Sequence, residues 1–177
     1  MGIPAAPPEV LLFCSVLHSS PEGADRAATE LVCRYGNTAY RSPALSFPYT
    51  SYYEGEMGSP LNRIVLAFER LFPRDALPAV KNETNRIEEG LRMDGKRTVN
   101  LDPGILSLEN VCLATTKPYS HRIYLSRGIW AEVTLMYRKD SYQPLEWTYP
   151  DYASTDMLGI FNLLRKHYKE KSRCRAA

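Results

Sequence analysis

Leu61-Asn62-Arg63-Ile64-Val65-Leu66-Ala67-Phe68-Glu69-Arg70-Leu71-Phe72 is the stretch on which the fold turns. As a helix, it would set Leu61, Ile64, Val65, Phe68, Leu71 and Phe72 on one stripe; as a strand, it alternates Ile64, Leu66 and Phe68 onto one face. The strand is preferred, because a clearer helical period starts just downstream. Over Asp75–Leu91, the residues Leu77, Val80, Thr84, Ile87 and Leu91 recur as the buried seam of a helix.

Working outward, Val10–Leu17 is an apolar run interrupted only by Cys14 and Ser15 and bounded by Pro8 and Ser19-Ser20, the pattern of a central strand buried on both faces. Pro21 then opens a helix, with Ser20 as N-cap, Ala24, Ala27, Ala28, Leu31 and Val32 on its inner face, and Gly36 at its end. Tyr40–Phe47 reads as a strand that Pro43 confines to an edge, and Tyr49–Gly58 as a loop rich in Tyr and Glu. Arg97–Leu101 is a further strand, ended by a turn at Asp102-Pro103-Gly104. Strand, helix, strand, strand, helix, strand is the βαββαβ order of ferredoxin-like folds, so the expected class is α+β.

Three more strands, Val111–Thr115, His121–Leu125 and Ile129–Tyr137, extend this core as an antiparallel meander. The last two are joined through a three-residue loop, Ser126-Arg127-Gly128, which sets Tyr124 opposite Trp130 and Arg122 opposite Glu132. Ile123, Leu125, Ile129, Ala131 and Val133 would then form a core face. An extended aromatic stretch, Trp147–Tyr152, and a helix from Met157 to Lys171 complete the chain. Residues 1–8 read as a flexible arm and 9–177 as a single domain.

Composition narrows the function classes. The 22 basic and 20 acidic residues nearly cancel, which argues against a nucleic-acid or membrane partner. Val10–Leu17 is far too short to span a bilayer, and no basic residue precedes it as in a signal peptide. Cys14, Cys33, Cys112 and Cys174 form no CxxC pair, and a reducing cytoplasm suits them.

Chemistry-bearing residues gather in the C-terminal two-thirds. Lys81, Asn85 and Glu88 share a helical face beside the apolar seam. Arg97, Asn100 and Asp102 follow on or beside the next strand, and Thr115, Thr116, Lys117, His121 and Arg122 crowd one short segment, with Glu132 on the hairpin partner. Hydroxyls and cations so crowded suit phosphate or carboxylate. The expectation is a small anionic ligand, a nucleotide or phosphate ester. Lys81, Arg97, Lys117, His121 and Arg122 would supply charge, Asn85, Asn100 and Thr116 orientation, and Glu88, Asp102 and Glu132 would position the cations or hold Mg2+. Glu54, Glu56 and Asp151 are further oxygen ligands without a fixed spacing. The aromatic set Tyr49, Tyr52, Tyr53, Trp147, Tyr149 and Tyr152 reads as packing before ligand stacking. A rival use of the chain is an RNA- or protein-interaction module built on the basic end of the last helix, Arg165, Lys166, Lys169, Lys171, Arg173 and Arg175.

Gly90–Lys96 matches GxxxxGK, but Arg97 stands where a P-loop has its metal-binding hydroxyl, and the segment follows a helix and opens a strand, the reverse of a P-loop. It reads as a helix end and a turn.

Tyr52-Tyr53, Glu56-Met57-Gly58, Lys81, Thr84-Asn85, Glu88, Arg97, Val99-Asn100, Asp102-Pro103-Gly104, Ala114-Thr115-Thr116-Lys117, His121-Arg122-Ile123-Tyr124-Leu125, Gly128, Ala131-Glu132 and Trp147-Thr148-Tyr149-Pro150-Asp151-Tyr152 are blocks that the chain shares with a bacterial family. It resembles the domain of unknown function 4416 family. The resemblance implies no established activity; members can carry a GTP-binding label, for which the near-P-loop offers one source.

Overall fold

The computed structural model describes residues 2–176, with side chains to Cys174, so the Arg175 side chain of the basic helix end lies outside the described residues. The elements in chain order are β1 (Val10–His18), α1 (Pro21–Tyr35), β2 (Thr38–Arg41), β3 (Leu45–Ser46), α2 (Glu54–Met57), β4 (Asn62–Phe72), a 3-10 turn (Arg74–Ala76), α3 (Leu77–Gly90), β5 (Val99–Leu106), β6 (Asn110–Thr115), β7 (Ile123–Ser126), β8 (Ile129–Arg138), β9 (Ser141–Pro144) and α4 (Thr155–Ala176). They make an α+β structure around one sheet of order β2-β4-β1-β5-β6-β8-β7, with β3 beside β4 and β9 beside β8. All pairs are antiparallel.

The decisive stretch is a strand, β4, and β1 beside it is buried over all nine residues. Strand alternation sends their side chains into two separate cores. Leu12, Cys14 and Val16 of β1 and Ile64, Leu66 and Phe68 of β4 meet α1 and α3. Leu11, Phe13, Val65 and Ala67 meet α4 on the opposite face. Ser20 caps α1 as its sequence suggests, accepting from Gly23 N at 3.1 Å.

Several expectations need correction. Pro43 does more than mark an edge: it splits Tyr40–Phe47 into β2 and β3. Asp102-Pro103-Gly104 is not a turn, because it lies inside β5. β5 pairs with β1 along its whole length but with β6 only from Gly104 to Leu106. In an antiparallel ladder, alternate residues bond to opposite sides. Leu101 points both its backbone groups away from β1, at α3 side chains, so Pro103 turns its nitrogen the same way. Lacking an N–H, Pro103 gives β6 nothing to bond, and the sheet splits there. Gly104 sits at the fork. A Cβ on it would overlap the Phe13 ring and come 2.6 Å from the Cys112 carbonyl oxygen. Gly104→Ala should destabilise the protein by about 1–3 kcal/mol in a denaturant titration; an unchanged midpoint would mean that the fork can widen freely.

The last strands are not a meander, because β8 inserts between β6 and β7. Thr116–Arg122 is too long for a tight hairpin and carries the chain past β8 to the edge. The β7–β8 loop has two residues, Arg127 (φ 54°) and Gly128 (φ 76°), rather than three. Ser126 pairs with Ile129, yet Tyr124 still faces Trp130, because a bulge at Leu125 absorbs the one-residue shift. The face expected to be core is not so at β7: Ile123 is 71% exposed, since no layer covers this edge strand. Trp147–Tyr152 is a series of turns rather than an extended stretch.

Candidate functional site

α4 covers only one end of its face of the sheet. At the other end that face carries polar side chains: Ser15 of β1, Arg63 of β4, Asn100 and Asp102 of β5, and Glu132 of β8. Loops 47–53 and 149–152 roof it with tyrosines, and the β5–β6 split opens it towards α3. The result is a cleft of about 570 Å³, within the range of about 300–1,000 Å³ usual for small-ligand sites.

At the split, the unpaired edge of β5 is completed by α3. Lys81 Nζ donates to the Leu101 carbonyl at 2.7 Å, and Glu88 Oε1 accepts from the Leu101 N–H at 2.7 Å. Burial pushes the Glu88 carboxyl up to about 7. Lys81 Nζ also stands 3.8 Å from Asp102 Oδ1. A hydrogen-bonded relay runs along β5: Arg97 donates Nη2 to Glu56 Oε2 of α2 at 2.6 Å and Nη1 to Asn100 Oδ1 at 3.1 Å, and Asn100 Nδ2 donates to Asp102 Oδ2 at 2.8 Å.

Arg63 forms the floor. Its guanidinium lies 4.9 Å from the centroid of Phe47 and 5.4 Å from that of Tyr152, donates Nη1 to Ser15 Oγ at 2.5 Å, and stands 3.6 Å from Asp102. Its Nε is 3.1 Å from Asp151 Oδ2, an ion pair by distance that lacks hydrogen-bond alignment. Burial raises the Asp151 carboxyl above its ordinary value, and Arg63 opposes the shift.

Arg122 staples the far wall. Nε donates to Glu132 Oε2 at 2.8 Å, Nη1 to the Lys117 carbonyl at 2.9 Å and Nη2 to the Tyr149 hydroxyl at 2.9 Å. The pair expected from the strand register is therefore present. His121 stands behind it, Nε2 3.0 Å from Glu132 Oε2, its ring stacked on Trp147.

Of the residues singled out in the sequence, Lys81, Asn85, Glu88, Arg97, Asn100, Asp102, Thr116, Lys117, Arg122 and Glu132 line this one cleft, and His121 does not. Lys81, Arg97 and Arg122 are engaged by protein groups. Lys117 forms no ion pair among the described residues; its Nζ lies 5.5 Å from the centroid of Tyr52. Sequence reasoning missed Arg63, and it weighed Asp151 only as a metal ligand. The available signal was a lone Arg on the face of β4 opposite Ile64, Leu66 and Phe68. Among the described residues no group of three or more His, Cys, Asp or Glu could hold a metal ion. Gly90–Lys96 links α3 to β5 through a turn at Asp94-Gly95 and lies outside the cleft. Arg165 of α4 is spread over Tyr137 and donates to the Leu108 carbonyl, so part of the basic helix end belongs to the body of the protein.

The family described as Domain of unknown function (DUF4416) matches residues 8–168. The chain belongs to this family. No curated protein and no solved structure matches it. The DUF4416 match spans every cleft-lining residue, from Phe47 to Tyr152. Among the described residues no helix is long and apolar enough to cross a membrane.

Proposed function

We propose that the cleft binds a small anionic ligand, a nucleotide or phosphate ester, in a reducing, cytoplasmic setting. Lys117 carries the reading: it is a cation at the rim with no carboxylate partner among the described residues, next to the Thr116 hydroxyl and across from Tyr52. Five cationic and four acidic side chains line the cleft, and burial leaves Glu88 only partly ionised near neutral pH, so the balance favours an incoming anion. The absence of disulfides supports the compartment: all four cysteines are free, Cys33 and Cys174 in exposed positions. The order β2-β4-β1-β5, with α1 and α3 on one face, supports a ferredoxin-like reading of the first half. Any Mg2+ would need ligand oxygens beside one or two of the carboxylates.

A thermal-shift and calorimetric series with phosphate monoesters tests this. Lys117→Ala should weaken their binding at least tenfold, while the exposed site leaves stability within about 0.5 kcal/mol of the parent. No phosphate ester binding, or unaltered affinity in Lys117→Ala, would overturn the reading.

A further inference from the structure

We propose that the ligand is a hydroxylated phosphate ester, a sugar phosphate or the ribose phosphate portion of a nucleotide, whose hydroxyls donate hydrogen bonds to the floor of the cleft. This rests on the anion-binding reading and specifies the other end of the same ligand.

Among the described residues, eight buried side-chain nitrogen and oxygen atoms have no hydrogen-bond partner, and four belong to cleft residues: Glu132 Oε1, Tyr152 Oη, and Arg63 Nε with Asp151 Oδ2, which stand 3.1 Å apart as an ion pair without hydrogen-bond alignment. Such atoms are few in folded proteins, and their gathering in one place calls for a cause. All four residues are at least nine-tenths buried. Two of the four atoms are carboxylate oxygens, which only accept when ionised. The neighbouring donors have protein partners: Arg122 gives its three nitrogens to Glu132 Oε2, the Lys117 carbonyl and Tyr149, Lys81 donates to Leu101, and Arg63 donates Nη1 to Ser15 and lies against Asp102 and Asp151. Rim and floor therefore ask for opposite things. Lys117 needs an acceptor, whereas Glu132 Oε1 needs a donor and Asp151 Oδ2 has only the misaligned Arg63 Nε beside it. One small molecule meets both demands if it carries a phosphate and, a few bonds away, hydroxyls. Asn85 and Thr116, which line the same cleft and make no side-chain hydrogen bonds to described residues, offer further donor and acceptor positions. The exposed rings of Tyr49, Tyr52 and Tyr149 at the mouth give the C–H face of a sugar a surface to pack on.

Calorimetry on the unaltered protein with methyl phosphate, glycerol 3-phosphate, ribose 5-phosphate and 2-deoxyribose 5-phosphate reads the inference directly. Ribose 5-phosphate should bind at least tenfold tighter than methyl phosphate, with glycerol 3-phosphate and the deoxy sugar between them. Asp151→Asn, its folding checked by thermal melt, should shrink the ratio of ribose 5-phosphate affinity to methyl phosphate affinity, whatever the lost charge does to both. Adenosine 5′-monophosphate distinguishes the sources: tighter binding than ribose 5-phosphate supports a nucleotide, and equal or weaker binding supports a sugar phosphate. Equal affinity across the hydroxyl series overturns this inference and spares the anion site. Failure of every phosphate ester to bind overturns the anion site itself.

Discussion

Arg63→Ala should destabilise the protein by about 3–5 kcal/mol, because it removes one partner from a buried ionic cluster and leaves the others uncompensated. The Arg63 side chain is 6% exposed and Asp151 only 7%, so water screens this pair little. The rings of Phe47 and Tyr152 pack against the guanidinium as well and lose that contact. In a protein of this length, each kcal/mol moves the melting temperature by about 2–4 °C, so the loss is easily read in a thermal melt. The variant should also acquire an acid-favoured stability. Asp151 already sits above its ordinary value of 3.8 through burial, with Arg63 opposing the rise. Without Arg63 its folded value climbs further, so folding favours the protonated acid more than the unfolded chain does. The resulting stabilisation is present below the unfolded value and is lost as pH rises through the folded one. The deficit of Arg63→Ala against the parent should therefore be smallest below about pH 4 and widen towards neutrality. A deficit under about 1 kcal/mol, flat with pH, would place Arg63 among screened surface pairs.

How far the sequence reveals this molecule depends on whether the deciding contact is local. β4 is legible because alternation and the competing helix signal at Asp75–Leu91 lie within one window. Pro103 is not, since a proline followed by glycine has the local chemistry of a turn. Only the neighbours decide otherwise: β1 holds the strand straight while β6 parts from it. The hairpin is instructive in another way. The register that sets Tyr124 against Trp130 holds, although the loop length behind it was wrong, because the bulge at Leu125 compensates. Ile123 alternates as in a buried strand, but periodicity does not tell whether a layer exists to bury it. In the cleft, the polar residues of α3, β5 and segment 115–122 could be picked out because unusual side chains cluster along the chain. Arg63 escaped because an apolar strand was read for what it buries, and Asp151 because its partner is 88 positions away.

Glu132→Ala should cost about 3–5 kcal/mol for a related reason, with consequences that reach the cleft wall. The Glu132 side chain is 2% exposed and that of Arg122 7%. Its Oε2 serves both Arg122 Nε and His121 Nε2. Loss of the carboxylate strands a guanidinium that cannot neutralise itself, since arginine stays protonated in proteins. Arg122 must then find water, and in swinging out it releases the Lys117 carbonyl and the Tyr149 hydroxyl that it holds. Two walls of the cleft loosen together, so ligand affinity should fall along with stability. Glu132→Gln separates the effects, keeping an acceptor for Arg122 while removing the charge, and should lose less than the alanine variant. The double variant Arg122→Met/Glu132→Leu goes further: with both charges replaced by apolar groups of similar size, stability should return to within about 1–2 kcal/mol of the parent, while ligand binding stays weak because nothing ties Lys117 to Tyr149 and the floor has lost the Glu132 acceptor. Chemical denaturation of the three variants, paired with titration of ribose 5-phosphate, reads both quantities. Full recovery of affinity in the double variant would show that Arg122 balances the charge of Glu132 and positions nothing.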